Sequence, residues 1–169
     1  MKTNTIDVLD LLAEQHAEVD ELFEAIENGA GDKKELFAEL ADKLAAHATI
    51  EEKIFYPSVM AKETEEILHE SVEEHLSIKR LLADLLAIDP ENDGDEFDAK
   101  ISVLKEQVSH HAHEEEEKKM FTQLRKSLSS DERAALGNEC LAMFETLIDK
   151  EPRRNVPAET AEAAALPTP

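Results

Sequence analysis

Two short stretches of the chain each place a histidine four residues ahead of a glutamate: HATIEEKIFYP at 47–57 and HHAHEEEEKKMF at 110–121. The pairs are His47–Glu51 and His111–Glu115. On a helix four residues is about one turn, so each pair shares a face. Imidazole nitrogen and carboxylate oxygen together ligate divalent and trivalent cations. One such pair in a chain this rich in Glu means little, because a single inward histidine is more often a satisfied core residue. The repetition, and two further histidines, His16 and His75, change the balance.

The elements that carry these residues read as helices. Leu, Ala, Glu and Lys dominate, aromatic residues make up 4% of the chain, and there are four Gly. That composition favours helix over strand. Asn4 is expected to cap a first helix with Asp7 in its first turn; Val8, Leu11, Leu12, Val19, Leu22, Phe23 and Ile26 follow at helical spacing, and Gly29 and Gly31 end it. Asp32 with Glu35 opens a second helix, striped by Leu36, Phe37, Leu40, Leu44, Ile50, Ile54 and Phe55 and kinked or ended near Pro57. A third runs from about Thr64 to Ile88. The turn DPENDGD at 89–95 leads to a fourth that starts near Glu96. Ser129 with Glu132 forms a capping box for a fifth helix reaching about Asp149. Residues 1–150 are thus expected to form one all-α domain, an up-down-up-down antiparallel four-helix bundle with a short fifth C-terminal helix. Residues 151–169, with four Pro and few large apolar side chains, are expected to be a disordered tail.

Counting from the turns puts the four histidines at one height. His16 lies about 14 residues before its turn, His47 about 17 after it and about 14 before the next, His75 about 14 from both of its turns, and His111 about 15 into the fourth helix. At about 1.5 Å per residue they fall within roughly one helical turn of each other. Leu40 and Leu44 precede His47 at the offsets at which Leu104 and Val108 precede His111, so both point inward with their stripes. No Lys or Arg sits on those stripes at that depth. Buried carboxylates without a counter-charge are costly unless they bind a metal. Six ligands, His16, His47, Glu51, His75, His111 and Glu115, exceed a closed tetrahedral zinc site and suit two cations with open positions.

Other residues stay with plainer readings. His69, His110 and His113 are expected to be solvated, Glu52 and Glu114 to Glu117 to form mostly a charged outer face, and Tyr56, about one turn beyond Glu51 and within reach of the site, to be packing. His110 with Glu114 is a competing register, but Gln107 and Val103 make its stripe poorer. The single cysteine, Cys140, rules out an intrachain disulfide and reads as a buried, inert thiol. A net charge of −22 argues against nucleic acid and anionic membranes as partners. No apolar run approaches about 18 residues, so the default is a cytoplasmic protein.

The set His16, His47–Glu51, His75, His111–Glu115, with the flanking EQHAEVDELF and EEHLSIKRLL, resembles the hemerythrin-like family, also called the HHE cation-binding domain, over about residues 5–128. The resemblance implies a four-helix bundle around a non-heme di-iron centre with an oxo or hydroxo bridge. It departs from the oxygen carriers, which have a further histidine one turn from the third-helix ligand; here those positions hold Ser71 and Lys79. Vacancies on both irons favour chemistry or sensing over carriage. The family's proline comes six residues after Glu51, at Pro57, while Thr122 is seven after Glu115. A π-bulge would absorb the extra residue, and it leaves Glu114 as the alternative to Glu115. The implied function is a di-iron protein that reacts with or senses dioxygen, hydrogen peroxide or nitric oxide. The alternatives are iron or oxygen sensing or storage without turnover, a reversible oxygen binder, and a structural bundle with zinc or no metal. The expected partner is a diatomic or peroxide ligand, and the expected assembly a monomer or weak homo-oligomer.

Overall fold

The computed structural model describes residues 5–60 and 64–168. All of its elements are helical: α1 (Val8–Glu27), α2 (Lys33–Ile50), a π-helix (Glu51–Phe55), α3 (Tyr56–Val59), α4 (Glu65–Leu86), α5 (Gly94–Ser109), a second π-helix (His110–Met120), α6 (Phe121–Ser127), α7 (Ser130–Ile148) and a 3-10 segment (Pro152–Glu159). The π-helices continue α2 into α3 and α5 into α6, so the bundle has four long rods.

Asn4 lies outside the described residues; Asp7 itself caps α1, its carboxylate accepting from Leu9 N at 2.9 Å. Gly29 ends that helix with φ +64. Its amide and that of Ala30 bond back to Ile26 and Ala25, which is the Schellman arrangement. Asp32 caps α2 through Glu35 N, and Ser129 with Glu132 forms the expected capping box on α7.

Ion pairs fix the directions of the rods. Glu27 at the end of α1 meets Lys105 in α5, in the first half of the fourth rod, and Asp10 near the start of α1 meets Arg125 in α6, close to that rod's end. These rods therefore run antiparallel, as do α4 and α5, joined through Asp84 and Lys100. Two apolar clusters fill the bundle. One holds Leu9, Leu12, Phe55, Tyr56, Leu68, Phe121 and Cys140. The other holds Phe23, Phe37, Leu40, Leu82, Phe97 and Leu104. The expected site residues lie between them.

The fifth helix has the expected bounds, Ser130–Ile148 between the caps Ser129 and Asp149, and lies across α1, α2 and the first π-helix. Its closest approach is at Gly137, where a Cβ would sit 1.9 Å from the Ile6 carbonyl oxygen. The C-terminal segment is ordered rather than a disordered tail. Pro152–Glu159 packs against both α2 and α4 with Val156 fully buried, and Ala163, Ala164 and Leu166 lie on the first cluster. Two prolines fix φ without needing helical hydrogen bonds, and one valine supplies the anchor.

Candidate metal centre

Each rod contributes one histidine, as the spacing predicts: His16 from α1, His47 from α2, His75 from α4 and His111 from the second π-helix. All four are buried. Their Nε2 atoms face one another in two pairs, His16–His47 at 3.2 Å and His75–His111 at 3.0 Å. Glu51 spans the pairs: Oε1 is 3.0 Å from His47 Nε2 and Oε2 is 3.1 Å from His75 Nε2.

The second carboxylate is Glu116, not Glu115. Glu116 is fully buried, with Oε1 3.0 Å from His111 Nε2 and 3.4 Å from His16 Nε2. Glu115 turns away to Lys119, 2.7 Å distant, and Glu114 is exposed and paired with Lys118. The cause is backbone geometry. His47 and Glu51 are related by an ordinary α-turn, but His111 and Glu116 lie within a π-helix, whose bonds close over five residues. The same geometry brings Tyr56 onto the face of Glu51, five residues earlier, and the Tyr56 amide bonds to the Glu51 carbonyl.

Tyr56 belongs to the site rather than to packing alone. Its hydroxyl donates toward Glu51 Oε2 at 3.2 Å and lies 3.3 to 3.4 Å from His75 Nε2, His111 Nε2 and Glu116 Oε2. Its spacing of about one turn beyond Glu51 pointed this way, and the π-turn after Glu51 aligns the two on one face.

Behind the ligands lies a ring of outer partners. His16 Nδ1 is 2.7 Å from Glu117, His47 Nδ1 is 2.6 Å from Gln15, His75 Nδ1 is 2.9 Å from Glu52 and His111 Nδ1 is 3.4 Å from Glu74. Glu52 and Glu117, read as outer surface, therefore orient imidazoles. Lys79, one turn from His75, is buried and 3.0 Å from both Glu52 oxygens, so it neutralises Glu52 rather than the central carboxylates. His113 is half-buried between Asp20 and Glu117, whereas His110 and His69 are exposed as expected.

The pattern has approximate two-fold symmetry. Gln15 and Glu74 each precede one histidine of their rod and face a histidine of the next, Gln15 hydrogen-bonded to His47 at 2.6 Å and Glu74 3.4 Å from His111. Glu52 and Glu117 each follow a central carboxylate and hold the remaining histidines. Tyr56 stacks on His75 as Phe121 stacks on His16. The hydroxyl is present in one half alone.

The arrangement suits cations. With the Nδ1 atoms of His16, His47 and His75 hydrogen-bonded to an oxygen, a neutral ring carries its proton there and points a lone pair from Nε2, whereas His111 Nδ1 is buried without a hydrogen-bond partner, 3.4 Å from Glu74. Two lone pairs about 3 Å apart repel unless a positive charge lies between them. Glu51 Oε1 and Glu116 Oε1 are buried and have no hydrogen-bond partner despite their closeness to imidazole nitrogens, as expected of atoms that converge on a point rather than on an N–H. Ligand atoms of His16, His47, Glu51 and Glu116 lie within 4.8 Å of one another, as do those of Glu51, His75 and His111. Glu51 is thus positioned to be shared by two ions.

In the metal-free protein, protons occupy this role. Burial pushes His16 down, but Glu116 and Glu117 outweigh it and hold the imidazole at about 9. His75 and His111 are raised against the same desolvation by Glu51, Glu52 and Glu116. Burial opposes ionisation of Glu51, yet the surrounding imidazoles keep it well below the usual carboxylate range. Burial and the two carboxylates push the Tyr56 phenol well above its ordinary value. Cys140, pushed up to about 12 chiefly by burial, is an inert thiol.

A family model described as the hemerythrin HHE cation-binding domain matches residues 7–124. The chain belongs to this family. It is a metal-binding hemerythrin-like protein, and a solved hemerythrin HHE cation-binding domain-containing protein from Mycobacterium kansasii shares the fold, with TM-score 0.73 and 23% identity, over 86% of this chain and 89% of that one. A protein named a DNA nickase in Nostoc sp. is 30% identical over 129 residues, 75% of this chain. The match spans 36% of that protein's length. No described helix is long and apolar enough to cross a membrane.

Proposed function

We propose that this hemerythrin-like domain holds two iron ions and uses them to react with, or to sense, a small molecule such as dioxygen, hydrogen peroxide or nitric oxide. The observation that carries the reading is the pair of facing imidazole couples spanned by the two oxygens of Glu51. His16, His47, Glu51 and Glu116 would hold one ion, and His75, His111 and the other Glu51 oxygen the second, with Tyr56 beside it. Neither set fills six positions, so each ion keeps room for an outside ligand. Iron, when bound, supplies electron transfer to and from that ligand.

The chain's own groups do the rest. Glu52, Glu117 and Gln15 fix the tautomers of His75, His16 and His47. The Tyr56 hydroxyl, kept protonated, is a hydrogen-bond donor at the second position. A cavity of about 30 Å³ touches all four histidines and is otherwise walled mostly by Val19, Leu44, Ala45, Ile78, Leu82 and Val108. It has room for a molecule of one or two heavy atoms beside the histidines. The nickase name of the Nostoc protein is no guide here: most of that protein lies outside the match, and a charge of −22 repels a phosphate backbone.

Metal analysis with optical spectra before and after peroxide tests the proposal. Two irons per chain, a near-ultraviolet band and peroxide-driven oxygen release support reaction. Two irons and raised thermal stability without turnover favour sensing or storage. A spectrum restored by removing oxygen marks a reversible binder. Zinc in protein grown in iron-rich medium overturns the iron assignment.

A further inference from the structure

We propose that the C-terminal segment Pro152–Glu159 is a gate over the metal-site cavity, with Val156 as the anchor that holds it shut behind the cavity wall. The proposal rests on the reading of that cavity as the route for a small ligand. It starts from a gap: α2 and α4 meet little directly, and the segment fills the seam by packing on both. The cavity walls on that side are Leu44, Ala45 and Ala48 from α2 and Ile78, Lys79 and Leu82 from α4. Val156 is fully buried in the same cluster as four of these.

The segment is latched at both ends by surface contacts. Arg153 donates from its backbone N and its guanidinium to Asp42 of α2, at 3.0 and 2.6 Å. Arg80 of α4 donates to the carbonyls of Thr160 and Ala161, at 3.0 and 3.3 Å. Glu159 lies 3.8 Å from Lys79, which itself holds Glu52 behind His75. Between the latches one side chain makes the seal. Glu151, with φ 50 and ψ 64, stands at the start of the segment in the left-handed region, where a non-glycine residue is strained. A seal made of one valine and partly solvated ion pairs opens locally at much less cost than the bundle unfolds. The gate also lies beyond residues 7–124, the stretch shared with the family.

The test uses the full chain with Val156→Ala and, separately, Arg80→Ala, an exposed residue that leaves the core intact. Two rates are read. One is removal of bound iron by a small chelator. The other is carbethoxylation of His47 and His75 by diethyl pyrocarbonate in metal-free protein, mapped by mass spectrometry against exposed His69 and His110. Both rates are expected to rise about tenfold in Val156→Ala, as loss of apolar contact in the closed state requires, and to rise in Arg80→Ala with its melting temperature unchanged. Unaltered labelling of His47 and His75 in both variants overturns the gate. Protein that binds no iron but shows faster labelling in the variants refutes the iron proposal and leaves the gate standing.

Discussion

At the residue scale, the decisive detail is which glutamate closes the centre. Glu116 faces two imidazoles from full burial, while Glu115 is tied to Lys119 one turn on. Glu116→Gln is therefore expected to lose one of the two metals, because an amide oxygen binds more weakly and brings no charge. Glu115→Gln should keep both. Metal content by mass spectrometry distinguishes them, and equal loss in both variants would refute the assignment. The assignment was partly legible. Aligned on Glu116, the run Glu116-Glu117-Lys118 falls opposite Glu51-Glu52-Lys53, and Thr122 stands six residues on, like Pro57. The extra residue thus lies between His111 and the carboxylate, not after it. A run of four glutamates hid this, since neighbouring positions offer the same chemistry and only backbone register separates them. Lys79 was missed for a related reason: its ammonium reaches Glu52, a residue assigned to the outer face.

At the element scale, the helices were readable because apolar stripes and caps are local. Asp32, Ser129 and the 3.6-residue spacing fixed them without tertiary information. The π-helices were not readable in detail, because their wider turn follows from what surrounds the site rather than from propensity. The C-terminal gate left almost no pattern, since one valine and one proline, Val156 and Pro152, are its buried residues. Gly137 was also silent. Its role follows from how closely α7 crosses the chain ahead of α1, and an added methyl has backbone in its way rather than a flexible side chain. Gly137→Ala is expected to destabilise the fold by about 1–3 kcal/mol, since α7 must shift outward. Thermal melting of the metal-free variant checks this, and an unchanged midpoint would contradict the close approach.

Across the whole molecule, a polar layer divides the two apolar clusters, and its charge state sets stability. His16 is raised from 6.5 to about 9 on folding. Its contribution to the metal-free fold is complete below 6.5 and is lost as pH rises through about 9. The metal-free melting temperature is therefore expected to fall across that window. Metal affinity should move the opposite way, because bound cations must displace those protons. Titrations at the two ends of the window should show proton release on binding at the acid end and much less at the alkaline end. Metal that binds only the native state should stabilise it by about 2.7 kcal/mol at a hundredfold excess over its dissociation constant. A chelator should reverse the gain, and a melting temperature indifferent to metal would place the ions elsewhere. The chain contains one tyrosine and no tryptophan. That tyrosine, Tyr56, has its hydroxyl among Glu51, His75, His111 and Glu116. Tyrosine emission from this protein thus arises at one address, inside the cluster, so ultraviolet fluorescence becomes a label-free gauge of occupancy. Quenching should track ion binding stoichiometrically, and the Tyr56→Phe protein should be dark.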